Sequence, residues 1–504
     1  KPFNRCAQFK PLSMQSLHHN SSSTAESTCG WHLPILISRK LVSILISKEA
    51  GHEMQIQQRA VIARCFVFLL AVSVVIGSSC TPRRQQQTTL RIWQTAIDPK
   101  AVAVLKEIGA EFERTHPGVR IELESVAWGA LSSKLTAAVG AGNPPDIAHL
   151  EPFMFSSMQS KNLLEPLDDV ISSLNPDDIY PAVKDLQLFE GRRYGIAHAF
   201  GITYFGYRKD LADRKGLKVP QSWAEYERFI KSMGSEVGKN GNVLLPGGDP
   251  FFVDQLAVEL LASNGGHLFD ANNRPLFTER PFIEMLRFYR TLAQAAPQDW
   301  LNIKYLDQFQ YFATGKGLNV PVMYSRAAKQ IDAEATPGTN DPSHFGVMPQ
   351  PVGPSGTKSY ATLDGEPWVI FRSSKNIDLG KEFLKLFYRR DLYLRFCLAV
   401  PMQLTPIFRS VAESPDYLND PFIKKWQPWQ SQERQFLADN RVRPIFMSDD
   451  ADRLRPFLLE LQESRIVSDI VFAVAKDGQD PGVAARAGQA KAEELIERLG
   501  YRRW

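Results

Sequence analysis

The amino-acid sequence predicts an α/β fold with a parallel sheet, on three observations. Segments with apolar residues at every second position alternate with segments of helical period between residues 90 and 150. Each change of period falls at a proline, glycine or capping residue. At 504 residues, with 44% hydrophobic and 23% charged side chains, the chain has the composition of a globular protein long enough for two or three domains.

The elements follow in order. Leu90 and Ile92 alternate with polar neighbours in a strand ending at Trp93, and Asp98-Pro99 then supplies an N-cap and a first-turn proline. Val102, Leu105, Ile108 and Phe112 form one helical face, which stops at His116-Pro117-Gly118. Val119, Ile121 and Leu123 alternate as a second strand, and Leu131, Leu135 and Ala138 mark a second helix ending in the glycines at 140 and 142. Pro144-Pro145-Asp146 precedes a third apolar strand, Ile147 to Leu150. Ser222 and Glu225 make a capping box that opens a second α/β unit, whose helix carries Trp223, Tyr226, Phe229 and Met233. Helical faces recur at Phe282, Met285, Phe288 and Tyr289, at Leu379, Phe383 and Phe387, and from Gly488 to Leu499. No short-period repeat is present, which argues against a solenoid or propeller.

Charge and cysteine content narrow the function. A formal charge of +4, with 59 basic residues dispersed along the chain, gives no nucleic-acid footprint. Of five cysteines, Cys6, Cys29, Cys65 and Cys80 lie near the start and only Cys397 falls in the body, so the body has neither a disulfide framework nor a cysteine zinc site. Residues 1–53 begin with lysine and lead into nothing, which reads as a non-native upstream extension. From Met54, Arg59 and Arg64 precede the apolar run Cys65 to Gly77, then Ser78, Ser79 and Cys80: a signal peptide over 54–80. The run is shorter than the roughly 20 residues of a spanning helix. Small residues before Cys80 match a lipoprotein cleavage box, so Cys80 is the expected lipidation site, with plain signal cleavage as the alternative. Residues 81–88 form a polar tether.

In open α/β sheets ligands bind beyond the carboxyl ends of the strands, here Trp93 to Asp98 and Leu150 to Phe155. No Gly-x-Ser-x-Gly elbow, His-Glu-x-x-His pair or phosphate loop occurs, and no spacing singles out two of the 55 acidic residues as a catalytic pair. The expectation is therefore no enzyme, no catalytic residue, no cofactor and no metal.

Ordered blocks from Thr89 to the C-terminus resemble the extracellular solute-binding proteins of ABC importers, in the carbohydrate group that includes maltose-binding protein. They include TLRIWQTAIDP (89–99), KLTAAVGAGNPPDIAHL (134–150), YGIAHAFGITYFGYRKDL (194–211), NGGHLFDANNRPLF (264–277) and FATGKGLNVPVMYS (312–325). The resemblance implies a two-lobed, type II-like periplasmic-binding-protein fold with discontinuous lobes joined by hinge strands. The first lobe would be 89–197 plus about 368–435, and the second 199–363 plus about 436–504. It implies capture of a small polar solute, a carbohydrate, by lobe closure, and delivery to ABC permease membrane subunits. The carrier would work as a monomer on the extracytoplasmic side, with Cys80 as a membrane anchor and no nucleic acid bound.

Sugars present hydroxyl edges and weakly apolar faces, which carboxylates, amides and aromatic platforms recognise. The expected ligand-binding residues are Trp93, Gln94 and Asp98 on the first loop, Glu151 and Phe153 after the third strand, and His198, Phe200 and Tyr204 at the first hinge crossing. Tyr324 stands where the maltose-binding relative has a sugar-stacking tryptophan, and Trp300 is a second platform. At the second crossing, where many relatives have a glycine pair, this chain has Asp364-Gly365-Glu366-Pro367-Trp368; Asp364, Glu366 and Trp368 are expected to line the cleft. That departure leaves room for a cationic or amino-sugar solute. Two other readings remain open: a secreted glycan-active enzyme, and a sensor or adhesion protein on the same fold.

Overall fold

A computed structural model describes residues 87–234, 241–335, 340–439, 441–444 and 455–504. The expected upstream extension, the signal peptide, Cys80 and most of the tether lie outside the described residues. Among the described residues twelve strands run in chain order: β1 (Thr88–Gln94), β2 (Val119–Ser125), β3 (Ile147–His149), β4 (Leu188–Phe189), β5 (Arg192–Arg193), β6 (Ile196–Ala197), β7 (Gly201–Arg208), β8 (Asn319–Tyr324), β9 (Phe345–Met348), β10 (Ala361–Asp364), β11 (Pro367–Ile370) and β12 (Val442–Pro444). They form two five-membered sets and a small β4–β5 hairpin.

The first sheet has the order β2-β1-β3-β11-β6. β1 runs parallel to both β2 and β3, with Leu90 beside Ile121 and Ile92 beside Ile147. The connection from β1 to β2 is the helix Pro99–Thr115, capped by the Asp98 carboxylate accepting from the Lys100 amide. Its buried face, Ala101, Leu105, Ile108, Gly109 and Phe112, lies on the sheet, packed closely enough at Gly109 that a Cβ there would stand 3.3 Å from the Ile121 side chain. The helix Trp128–Gly140 returns to β3 and buries Leu131 and Leu135. This is the strand–helix alternation read from the sequence.

The second sheet has the order β12-β10-β7-β8, with β9 also paired to β7. Its helices are amphipathic and packed through aromatics: Trp223 stacks on Phe288 at 4.4 Å, joining the helices Trp223–Met233 and Arg280–Gln294. The capping box forms in both directions between Ser222 and Glu225. Helices Ile466–Ala475 and Pro481–Arg498 close the outer side, and Gly488 lets them approach, since a Cβ there would collide with Ile470.

The chain passes between the sheets through very short links. β6 leads into β7 through residues 198–200, and β10 into β11 through residues 365–366. The links are tied together by the His198 amide donating to the Glu366 carbonyl at 3.1 Å. After the second link, helices Ile377–Phe387 and Arg390–Ala399 bury Phe383, Phe387 and Phe396 against the first sheet's core. Ser410 still bonds Asp178 of that half, whereas the helix Gln427–Ala438 sits on the second sheet, with Trp429 Nε1 donating to the Phe345 carbonyl at 3.3 Å.

Candidate functional site

The two links place side chains from both sheets in one cluster. Glu366, in the second link, accepts a hydrogen bond from the Thr95 hydroxyl at 2.8 Å, joining positions 271 residues apart. Thr95 follows β1, at the carboxyl end where the fold class places ligands. Its backbone amide donates to His149 Nδ1 at 3.2 Å, which fixes Nδ1 as an acceptor and leaves the proton on Nε2. His198 Nδ1 faces the Glu366 carbonyl at 2.8 Å and must carry its proton there. The imidazoles stack at 4.2 Å between centroids, and His149 also lies 3.6 Å from the Trp368 ring. Burial holds His198 down at about 4, against the Glu366 carbonyl and the charge of Asp364. Burial, with His198 adding to it, holds His149 well below the ordinary histidine value. Both rings are neutral at neutral pH.

Ligating atoms of His149, His198 and Glu366 come within 4.8 Å of one another, a spacing that a metal ion could span. The imidazoles are stacked nearly parallel, at 19°, so their in-plane lone pairs run side by side instead of converging. The donor set does not fit a metal centre.

Three carboxylates share the region. Glu151, at the mouth of β3, is 2% exposed; burial, then repulsion from Glu366 and Glu463, pushes its pKa to about 8. Asp364, the last residue of β10, is pushed to about 6 by burial and then by Glu366, with Arg326 opposing. Glu366 is raised by burial and lowered by bonds from Thr95 and Trp128. The Arg326 guanidinium lies 4.3 Å from the Tyr324 ring centre and 5.5 Å from that of Tyr305. Tyr324 is held from behind: Gln255 Nε2 donates to its hydroxyl at 2.8 Å and to Glu259 at 2.9 Å.

Of the residues expected from sequence, Glu151, His198, Asp364, Glu366, Trp368 and Tyr324 belong to this connected set. Asp98 stands at the rim, where it caps its helix and pairs with Lys329 of the opposite half at 2.8 Å. Trp93 is covered by Lys134, whose ammonium is 4.2 Å from its ring centre. Gln94 spends its amide on its own loop: it donates to the Ala96 carbonyl at 3.0 Å and bonds Ser125, with nothing exposed. Its carbonyl oxygen in turn accepts from the Ala96 amide, so both polar atoms of Gln94 brace the loop after β1. Phe200 packs edge-on to Tyr180 at 5.6 Å, and Tyr204 lies under Phe436. Trp300 is set against Gly247 and Phe472, in the second sheet's helical side. Phe153 falls in the first turn of the helix Pro152–Ser160.

Sequence reasoning passed over Thr95, His149, Trp128 and Arg326. Thr95 and His149 sit within blocks already quoted, at the ends of β1 and β3, and their position was the available signal. Trp128 is half-buried and meets Phe251 of the opposite half edge-on at 5.0 Å.

Two α/β sheets joined by short links, with polar groups and aromatics gathered where the links cross, define a two-lobed binding protein. Residues 98–391 match the family model described as bacterial extracellular solute-binding protein, and the chain belongs to that family, whose members serve ABC transporters. Among curated relatives, the arabinooligosaccharide-binding protein of Bacillus subtilis is 22% identical over 340 residues, covering 64% of this chain and 74% of its own. The sugar-binding protein MalE of Xanthomonas citri has the same fold, with a TM-score of 0.66, 20% identity and coverage of 82% of this chain and 98% of its own. A solute-binding protein of an ABC transporter from Agrobacterium radiobacter, crystallised with ribitol, superposes with a TM-score of 0.66 at 20% identity, over 82% of this chain and 99% of its own. At these identities the structural likeness shows the fold alone. Family membership implies an extracytoplasmic location, and the family and these relatives are binding proteins, not enzymes. Among the described residues no helix is long and apolar enough to cross a membrane.

Proposed function

We propose that this chain captures a small hydroxyl-rich solute, a sugar or oligosaccharide, between its lobes and delivers it unchanged to the membrane subunits of an ABC importer. One observation carries the reading: Thr95, Glu151, His198, Asp364 and Glu366 converge from both halves at the hydrogen-bonded links, beside Tyr324, Trp128 and Trp368. A solute touching both halves there has its full set of contacts only when they are together, so binding shifts the population towards closure. The bond from Trp128 to Glu366 and the Asp98–Lys329 pair support that geometry.

The lobes we assign are β1–β6 with β11 and the helices up to about residue 412, and β7–β10 with the remainder. The helix Gln427–Ala438, which the expected boundary near 435 splits, we assign whole to the second lobe, because Trp429 bonds the Phe345 carbonyl and Glu433 bonds Ser325 there. We place the carrier as a monomer, tethered by an acylated Cys80.

The test is a neutral-glycan panel read by thermal shift and by mass spectrometry of the solute. A ligand that raises Tm and is recovered intact fits a carrier, whereas turnover identifies an enzyme. Tyr324→Ala should weaken that ligand about tenfold or more; unchanged affinity removes Tyr324 from the site.

A further inference from the structure

Outside the two links, the second half touches the first through a short helix, Leu458–Glu463. That helix is moored to the second half on either side. Before it, Arg455 donates to Asn273 Oδ1 at 2.8 Å and to the Asp270 carbonyl at 3.2 Å, and Phe457 meets Phe269 edge-on at 5.2 Å. After it, Arg465 turns the chain through the left-handed region, at φ 55°, into the helix Ile466–Ala475, which packs on the helices Pro250–Ser263 and Arg280–Gln294. The helix Leu458–Glu463 itself nevertheless lies against Pro152–Ser160, the first-half helix that Glu151 precedes. Leu459 is 6% exposed and completes an apolar cluster whose other buried members among the described residues, including Met154, Phe155 and Met158, all come from the first half. Phe251, in the first turn of Pro250–Ser263, packs on the same cluster and meets Trp128.

Burying Leu459 in the other half's core favours contact, because its side chain meets water when the halves part. Other groups at the same contact oppose it. Gln159 Oε1 and Glu460 Oε2, one on each of the two packed helices, are buried without a hydrogen-bond partner among the described residues, and Glu463 repels the charge of Glu151. Unpaired acceptors and like charges weaken a contact that a permanent core would keep wholly apolar. We infer that the helix Leu458–Glu463 is a latch: with no solute bound, Leu459 seated in the first half's cluster holds the two halves together, and its withdrawal opens the cleft. The latch adds free energy to the closed state alone, so it contributes to capture of any solute, whatever its chemistry.

The experiment needs no solute. Asp98 and Lys329 come from opposite halves and lie 2.8 Å apart, so a carbodiimide can join them through an amide bond only while the halves are together. Two pairs that each lie within one half serve as internal standards: Lys381 with Asp169 at 3.1 Å in the first, and Lys425 with Asp332 in the second. The full chain is treated without ligand, and the linked peptides are quantified by mass spectrometry. The native chain should form the Asp98–Lys329 link. Leu459→Ala should lower its yield at least about fivefold relative to both standards, and Leu459→Met, which keeps most of the volume, should stay near the native yield. Equal yields in the native chain and Leu459→Ala would overturn the latch. So would a native chain that forms both standards without the Asp98–Lys329 link, whichever way the variants behave.

Discussion

Replacing Glu151 by glutamine removes an ionisable group from a place where ionisation is opposed, and the structure supplies the sign and size of the effect. The side chain is 2% exposed. Burial first, then Glu366 and Glu463, moves its pKa from 4.5 to about 8. Between those values the folded protein keeps a proton that the unfolded chain has released, so the contribution to stability is complete below the lower value. It is lost as pH rises through the upper one. At about 1.4 kcal/mol per pH unit the interval corresponds to about 5 kcal/mol. Urea denaturation of the native chain and Glu151→Gln should give similar stabilities near pH 4, and near pH 9 the variant should lead by a few kcal/mol and at most about 5 kcal/mol. If the cleft opens to water at high pH, the penalty is relieved early and the lead shrinks to the free energy of opening. Parallel pH profiles for the two proteins would refute the burial of this carboxylate.

Two further outcomes follow from hydrogen bonds and charge. Tyr388→Phe should cost about 1–2 kcal/mol in urea midpoint analysis, because the buried hydroxyl donates to the carbonyls of Ile196 at 3.1 Å and Ala197 at 2.9 Å on the edge strand β6. Asp98→Asn keeps a helix cap but loses the pair with Lys329; that lysine is 50% exposed, so the loss should stay under about 1 kcal/mol and fade in high salt.

The first half of the fold was legible because its residues obey local rules. Leu90 and Ile92, the Asp98-Pro99 start, the Gly118 stop and the Ser222–Glu225 box each act within a few residues of themselves, and all appear as read. The site was legible only in part, since its contacts join distant segments. Asp364 and Glu366 were visible as a departure from the usual glycine pair, yet the repulsion that Glu366 exerts on Asp364 and on Glu151 depends on how β3, β10 and β11 meet. His149 reads locally as a strand residue; its partner Thr95 and its stacking on His198 come from pairing across the molecule. Gln94 shows the converse: an amide looks available in a sequence whether or not its own loop engages it, as this one does.

The pair of links, two and three residues long and stitched by the His198 amide on the Glu366 carbonyl, acts as an axle. Any rocking of one layer against the other is concentrated in a handful of torsions there, and a small turn at an axle becomes a large sweep at the rim. Fluorophores attached at exposed positions of the two halves, such as Lys161 on one and Val219 on the other, would turn solute capture into a change of colour with the cleft untouched. The molecule is in this sense already laid out as an optical sensor scaffold.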